Sequence, residues 1–146
     1  MSKGIKIIIS LILICVLLIP VTVLAEDTTS ERASNYIQSY SAYITPGSGG
    51  DITIYFSITG TRRMTEIGST VVYLYEYNGE NTTLVQTFRY TEPNYAYMMG
   101  YDKFIHTGAI PYSGTSNHQY YAYVYFKAGD STGSDTAMKL TSTVTA

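Results

Sequence analysis

The chain has 146 residues, a formal net charge of −2, one cysteine, no tryptophan and 16 tyrosines. This length suits one domain with a single core and no covalent staples. The acidic balance argues against nucleic acid and anionic membrane as partners, and a lone cysteine excludes an internal disulfide.

Residues 1–25 have the organisation of an export signal. Lys3 and Lys6 form a positive start, residues 7–19 are an almost unbroken apolar run, and Pro20 breaks the helix. Val23 and Ala25 then supply small residues at −3 and −1 of a cleavage point. The pattern predicts a helical signal peptide removed after Ala25, and a secreted, extracellular product without a stable membrane anchor. An uncleaved anchor is the alternative, because about 20 apolar residues can span a bilayer. Cys15 lies mid-run behind Ile14, where a lipobox would need a small residue, so it leaves with the signal. The mature chain then has no thiol for catalysis or metal binding. Its charge drops to about −4, since Lys3 and Lys6 leave 7 basic against 11 acidic residues.

All 16 tyrosines and all 4 phenylalanines follow Ala25, among abundant Thr, Ser and Gly. Such side chains fit a pleated surface, and 3.6-residue apolar periodicity is missing. Residues 26–34 are polar and read as a flexible leader ahead of a domain over 35–146. A first strand is predicted over 36–45, and Pro46 to Gly50 supply a turn. Ile52, Ile54, Phe56 and Ile58 then alternate with Thr53, Tyr55, Ser57 and Thr59, which makes one face core and the other wet.

Met64 and Ile67 stand at helical spacing within 61–68 and predict a short helical turn. Val72 and Leu74 alternate with Tyr73, Tyr75 and Tyr77 up to Asn78-Gly79, a strong hairpin signal, and residues 82–90 return as the partner strand. Residues 92–99 carry Tyr95, Tyr97, Met98 and Met99, too apolar for a solvated loop, and should fold back on the core. A strand over 103–110 and a turn over 113–117 follow. In the strand over 120–128, Tyr120, Ala122, Val124 and Phe126 face inward, and Tyr121, Tyr123 and Tyr125 outward. A loop over 129–135 leads to an edge strand over 136–145 with Met138, Leu140 and Ser142 inward.

Seven strands with regular turn signals predict an all-β, antiparallel Greek-key β-sandwich of immunoglobulin or fibronectin type III character, with a small barrel as the rival. Tyr120 or Tyr121 would form a tyrosine corner, bonding back to the preceding loop.

Four segments carry a family resemblance: Tyr40-Ser41-Ala42-Tyr43-Ile44-Thr45-Pro46, Ile54-Tyr55-Phe56-Ser57-Ile58-Thr59-Gly60, Met64-Thr65-Glu66-Ile67-Gly68 and His106-Thr107-Gly108. Through them the chain resembles a family of short signal-bearing proteins of unknown function, mainly from Gram-positive, clostridia-like bacteria. The resemblance covers nearly all of the mature domain and implies a secreted bacterial β-domain. It implies no activity, cofactor or catalytic residue.

For chemistry, His106 and His118 could each act as a base with Asp102, Asp130 or Asp135, but no Gly-x-Ser-x-Gly elbow accompanies them, and structural histidines are the expectation. No metal-ligand spacing is present; Asp130 and Asp135 could border a calcium loop, with a solvated turn the plainer reading. Arg62-Arg63 reads as a solvated basic point. The expected site is therefore a face of outward tyrosines, Tyr73, Tyr75, Tyr77, Tyr121, Tyr123 and Tyr125. Rings with hydroxyl tips suit a protein or glycan partner. The plainer reading is cross-strand pairs that only stabilise the sheet. The expectation is a non-catalytic binding domain without cofactor or metal; a small secreted hydrolase and a self-assembling surface protein are the alternatives.

Overall fold

The computed structural model describes residues 34–146. The expected signal peptide and all but the last residue of the leader lie outside the described residues. Ser34, that last residue, donates its hydroxyl to Asp135 at 2.6 Å.

The chain is all-β. The strands are β1 (Ile37–Pro46), β2 (Asp51–Tyr77), β3 (Thr82–Arg89), β4 (Met99–Ser113), β5 (Gln119–Asp130), β6 (Gly133–Leu140) and β7 (Val144–Thr145), with one 3₁₀ turn over Pro93–Met98. All seven join one antiparallel sheet that curls on itself, in the order β1-β2-β5-β6, with β3 and β4 also on β2 and β7 on β5.

One correction explains the architecture. The two strands expected over 52–59 and 72–77 are the ends of a single strand of 27 residues, β2, which replaces the helical turn expected at 61–68. Its first part pairs with β1 on one edge and β4 on the other; its last part pairs with β5 and β3. Register shifts between Thr59 and Met64 and between Ser69 and Val71 add unpaired residues and bend the strand. The inward parity changes twice along the strand: Ile58 and Met64 are buried, then Ile67 and Ser69, then Val72 and Leu74, the second change coinciding with the shift between Ser69 and Val71. The three-residue step from Met64 to Ile67 imitates helical spacing for this reason.

The concave side holds one core, built from Ile52, Ile54, Phe56 and Ile58 at one end of β2, Val72 and Leu74 at the other, and Tyr120, Ala122, Val124 and Phe126 from β5. Complete burial of such side chains contributes about 1.5–3 kcal/mol each. The 3₁₀ turn, with Pro93 in its first turn, fills the gap between β3 and β4, burying Met98 and setting Tyr95 edge-on to Phe88 at 5.1 Å. The segment over 92–99 does fold back on the core.

A second correction concerns the last strand. Residues 136–145 form two strands, and the turn before them shrinks to Ser131-Thr132. Met138 and Leu140, expected inward, are 43% and 46% exposed, because β6 pairs Met138 with Tyr125 and Leu140 with Tyr123, both outward. Ser142 is exposed as well, while Thr141 is buried and accepts the Ala122 N–H at 2.9 Å.

Candidate functional site

Partners in an antiparallel ladder share a face, so register alone builds the convex surface of β3, β2, β5 and β6. Leu84, Tyr75 and Tyr121 form one row; Thr87, Tyr73, Tyr123 and Leu140 the next; Arg89, Val71, Tyr125 and Met138 the third. Tyr75 and Tyr121 stack at 5.2 Å and 5°. Tyr123 stands edge-on to both, at 5.8 and 6.0 Å, and Tyr73 meets Tyr125 edge-on at 5.8 Å. The Arg89 guanidinium lies 5.9 Å from the Tyr73 ring centre. Beyond Tyr125 the face ends at the ion pair of Lys127 and Glu66, 2.6 Å apart.

Five of the six expected site tyrosines therefore meet on one surface. Tyr77 lies in the next row of that face, opposite Thr82 and Gln119, but stays out of the ring cluster: its hydroxyl donates to the Gly79 carbonyl at 2.7 Å, and it makes no ring contact among the described residues. Partial burial lifts the Tyr121 phenol above its ordinary value, with Tyr123 and Tyr75 adding to the effect. Leu84, Met138, Leu140 and Arg89 belong to the face but were not singled out from sequence. Counting outward from the two hairpins reaches Leu84, Met138 and Leu140, since Tyr77 opposite Thr82 leads to Tyr75 opposite Leu84, and Asp130 opposite Gly133 leads to Tyr123 opposite Leu140; Arg89 lies past the register shift between Leu74 and Tyr75 and escapes such a count.

Comparison with known proteins brings no match, whether by family model, by curated sequence or by solved structure. The geometry carries the functional argument.

Strands spaced about 4.8 Å apart, over a run of about five residues, give this patch an area on the order of 300 Å². That is the size of a large apolar patch on a monomer and under half of the roughly 800 Å² each partner contributes to a stable complex. The patch can form the centre of an interface, with the polar rim completing it.

Each histidine contacts a neighbouring group of the fold. His106 is half-buried, its Nε2 2.9 Å from the Tyr97 carbonyl, and its ring packs so closely on Gly100 that a Cβ there would lie 2.7 Å from Nδ1. Burial pulls its pKa down. Asp102 pairs with Arg63, and Asp130 pairs with Arg62 at 2.8 Å and accepts from Thr132. Asp135 accepts from Ser34 and the Tyr36 N–H. Arg62, expected to be solvated, also lies 5.1 Å from the Tyr36 ring centre.

His118 Nδ1 lies 3.1 Å from Glu76 Oε1, an acid that sequence reading did not connect to it; the contact is an ion-pair approach without hydrogen-bond alignment. Tyr120, fully buried, joins the same carboxylate: its hydroxyl donates to Glu76 and accepts the Thr115 N–H at 2.7 Å. Tyr120 is therefore the tyrosine that bonds back to the preceding loop, and Tyr121 is outward. Among the described residues, no group of three or more His, Cys, Asp or Glu converges as a metal would need.

Proposed function

We propose that the mature chain is an extracytoplasmic, non-catalytic β-domain that binds a protein partner through the face of Tyr73, Tyr75, Tyr121, Tyr123 and Tyr125. Export is supported by the signal-like organisation of residues 1–25 and by the resemblance to small secreted proteins of Gram-positive bacteria. Amino-terminal sequencing of secreted protein should begin at Glu26; retention of residues 1–25 would favour the anchor.

The arrangement of strands also supports a seven-stranded Greek-key sandwich related to immunoglobulin and fibronectin type III domains. The first part of β2 lies between β1 and β4, and its last part shares a layer with β3, β5 and β6. Counting the two parts of β2 separately and leaving β7 aside gives a group of three strands and a group of four, the grouping from which the sandwich is proposed. Fold alone assigns no function.

The observation that carries the proposal is the packing of the rings. Tyr75 and Tyr121 each cover one face of the other and both meet Tyr123 edge-on, so much of the flat ring surface is engaged inside the cluster. Ring edges, hydroxyls and the apolar ends of Leu84, Met138 and Leu140 remain for a partner. Edges and aliphatic groups suit a protein surface, where tyrosine is enriched, better than a sugar that needs an open ring face.

The test is binding to a cell-wall extract before and after protease treatment, using the wild type and a Tyr121→Ser, Tyr123→Ser, Tyr125→Ser variant. The expected result is retention that protease abolishes and that the triple variant lacks. Binding that survives protease treatment, or that the variant keeps, would overturn the reading.

A further inference from the structure

A second surface lies on the outer face of β1, the first part of β2 and β4, and does not depend on the proposal above. Register places Tyr43, Tyr55 and Ala109 in one row across the three strands and Ser41, Ser57 and Thr107 in the next. Tyr43 and Tyr55 stack at 5.1 Å and 16°, and Tyr43, the outermost of the pair, is 53% exposed. No third ring packs on the pair among the described residues. Beside them the small side chain of Ala109 leaves a trough of about 360 Å³ lined by Tyr43, Tyr55, Ser57, Thr107, Gly108 and Ala109, with Phe56 beneath.

Two features of the trough bear on what it would take. The hydroxyls of Tyr43, Tyr55, Ser57 and Thr107 make no hydrogen bond within the described residues, although each can donate and accept. No ionised side chain lines the trough, so a charged ligand would be desolvated there without a counter-charge. Its volume falls at the lower end of small-molecule sites. An open aromatic face, uncommitted hydroxyls beside it and electrical neutrality together match one ligand chemistry. A neutral pyranose ring has an apolar C–H face for the tyrosine and a hydroxyl rim for Ser57 and Thr107.

We infer that the trough at Tyr43, Tyr55, Ser57, Thr107 and Ala109 is a binding site for a neutral sugar ring of an oligosaccharide. The site differs from the convex face of β5 in that its stacked pair, Tyr43 and Tyr55, meets no third ring among the described residues. Gly108 is integral to its floor: a Cβ there would lie 2.3 Å from the Phe56 ring and force the floor to shift.

The test is an NMR titration of the folded domain with cellotetraose and with chitotetraose, following backbone amides. The expected result is saturable shifts at Ser57, Thr107 and Ala109 with at least one tetrasaccharide, unaffected by added salt. Ala109→Leu, which fills the trough, and Tyr43→Ala, which removes its wall, should each weaken that binding at least tenfold while the thermal midpoint stays close to wild type. Thr107→Val gives a second check that keeps the side-chain volume and removes a hydroxyl, with a smaller loss expected. Absence of saturable shifts at these amides with both sugars would overturn the inference. So would binding that persists in Ala109→Leu, or shifts centred on Tyr121 to Tyr125. Because the protease experiment reads a different face, either proposal can fail while the other stands.

Discussion

Tyr75 and Tyr121 lie ring on ring across β2 and β5, 5.2 Å apart and within 5° of parallel. Directly opposed in the ladder, they are neighbours by register, and each is half-buried. A double-mutant cycle between Tyr75→Ser and Tyr121→Ser should give a coupling energy of about 0.5–1.5 kcal/mol. Additive single effects in urea denaturation would show that the rings do not stabilise each other.

Leu74 lies between Tyr73 and Tyr75 in the chain yet points the other way and is fully buried. Leu74→Ala should cost about 2–5 kcal/mol of folding stability. Tyr73→Ser, on the solvent side, should cost about 1 kcal/mol or less through its lost ring partner. Equal losses would mean that the two faces of β2 are not distinguished as described.

The Tyr120 hydroxyl satisfies the Thr115 N–H and donates to Glu76 in a part-buried position. Tyr120→Phe keeps the ring in the core but strands both groups. A loss of about 1–3 kcal/mol is expected, with faster hydrogen exchange at the Thr115 amide. An unchanged denaturation midpoint would remove Tyr120 from the forces that hold the 114–118 turn.

Two carboxylates make stability depend on pH. Glu76 is held below its ordinary 4.5 chiefly by the Tyr120 hydroxyl, with His118 adding to the effect against the opposing influence of burial. Asp130 is held down to about 2, from an ordinary 3.8, by the hydroxyl and amide of Thr132 and then by Arg62. As pH falls, the unfolded chain takes up these protons first. The stabilisation is therefore complete above about 4.5 and is lost progressively toward about 2. The urea midpoint should fall across that window, and Glu76→Gln should flatten part of the slope. A midpoint that stays constant down to the lower limit would contradict the linkage.

Gly68 in β2 faces the end of the 3₁₀ turn so closely that a Cβ would lie 2.2 Å from the Met98 carbonyl oxygen. The obstacles, the Met98 carbonyl and the Met99 Cα, are backbone, so no side-chain rotation relieves the clash. Gly68→Ala should destabilise by at least about 1–3 kcal/mol, read as a lowered thermal midpoint. Tolerance of alanine would mean that the turn is not seated against β2.

Much of the fold is legible in the order of residues. Alternation from Ile52 to Ile58 and from Val72 to Leu74 marked inward and outward positions on β2, and the same pattern on β5 separated Tyr120 from Tyr121. Asn78-Gly79 marked the β2–β3 turn, where Gly79 adopts φ 99° and Asn78 accepts the amides of Glu80 and Asn81. Such signals are local, because side-chain direction in a strand has period two and a tight turn requires residues that tolerate unusual backbone angles.

What composition and alternation determined, then, was the β class, the outward direction of the tyrosines within each of two segments, and the Asn78-Gly79 turn. Only the tertiary structure decided that β2 runs unbroken from Asp51 to Tyr77, that its tyrosines and those of β5 share one face which Met138 and Leu140 extend, and that Glu76 meets both His118 and Tyr120. The physical reason is range. Bulges and cross-strand register depend on which distant strand pairs with which, and a shift of one residue exchanges the two faces. No local pattern records that choice.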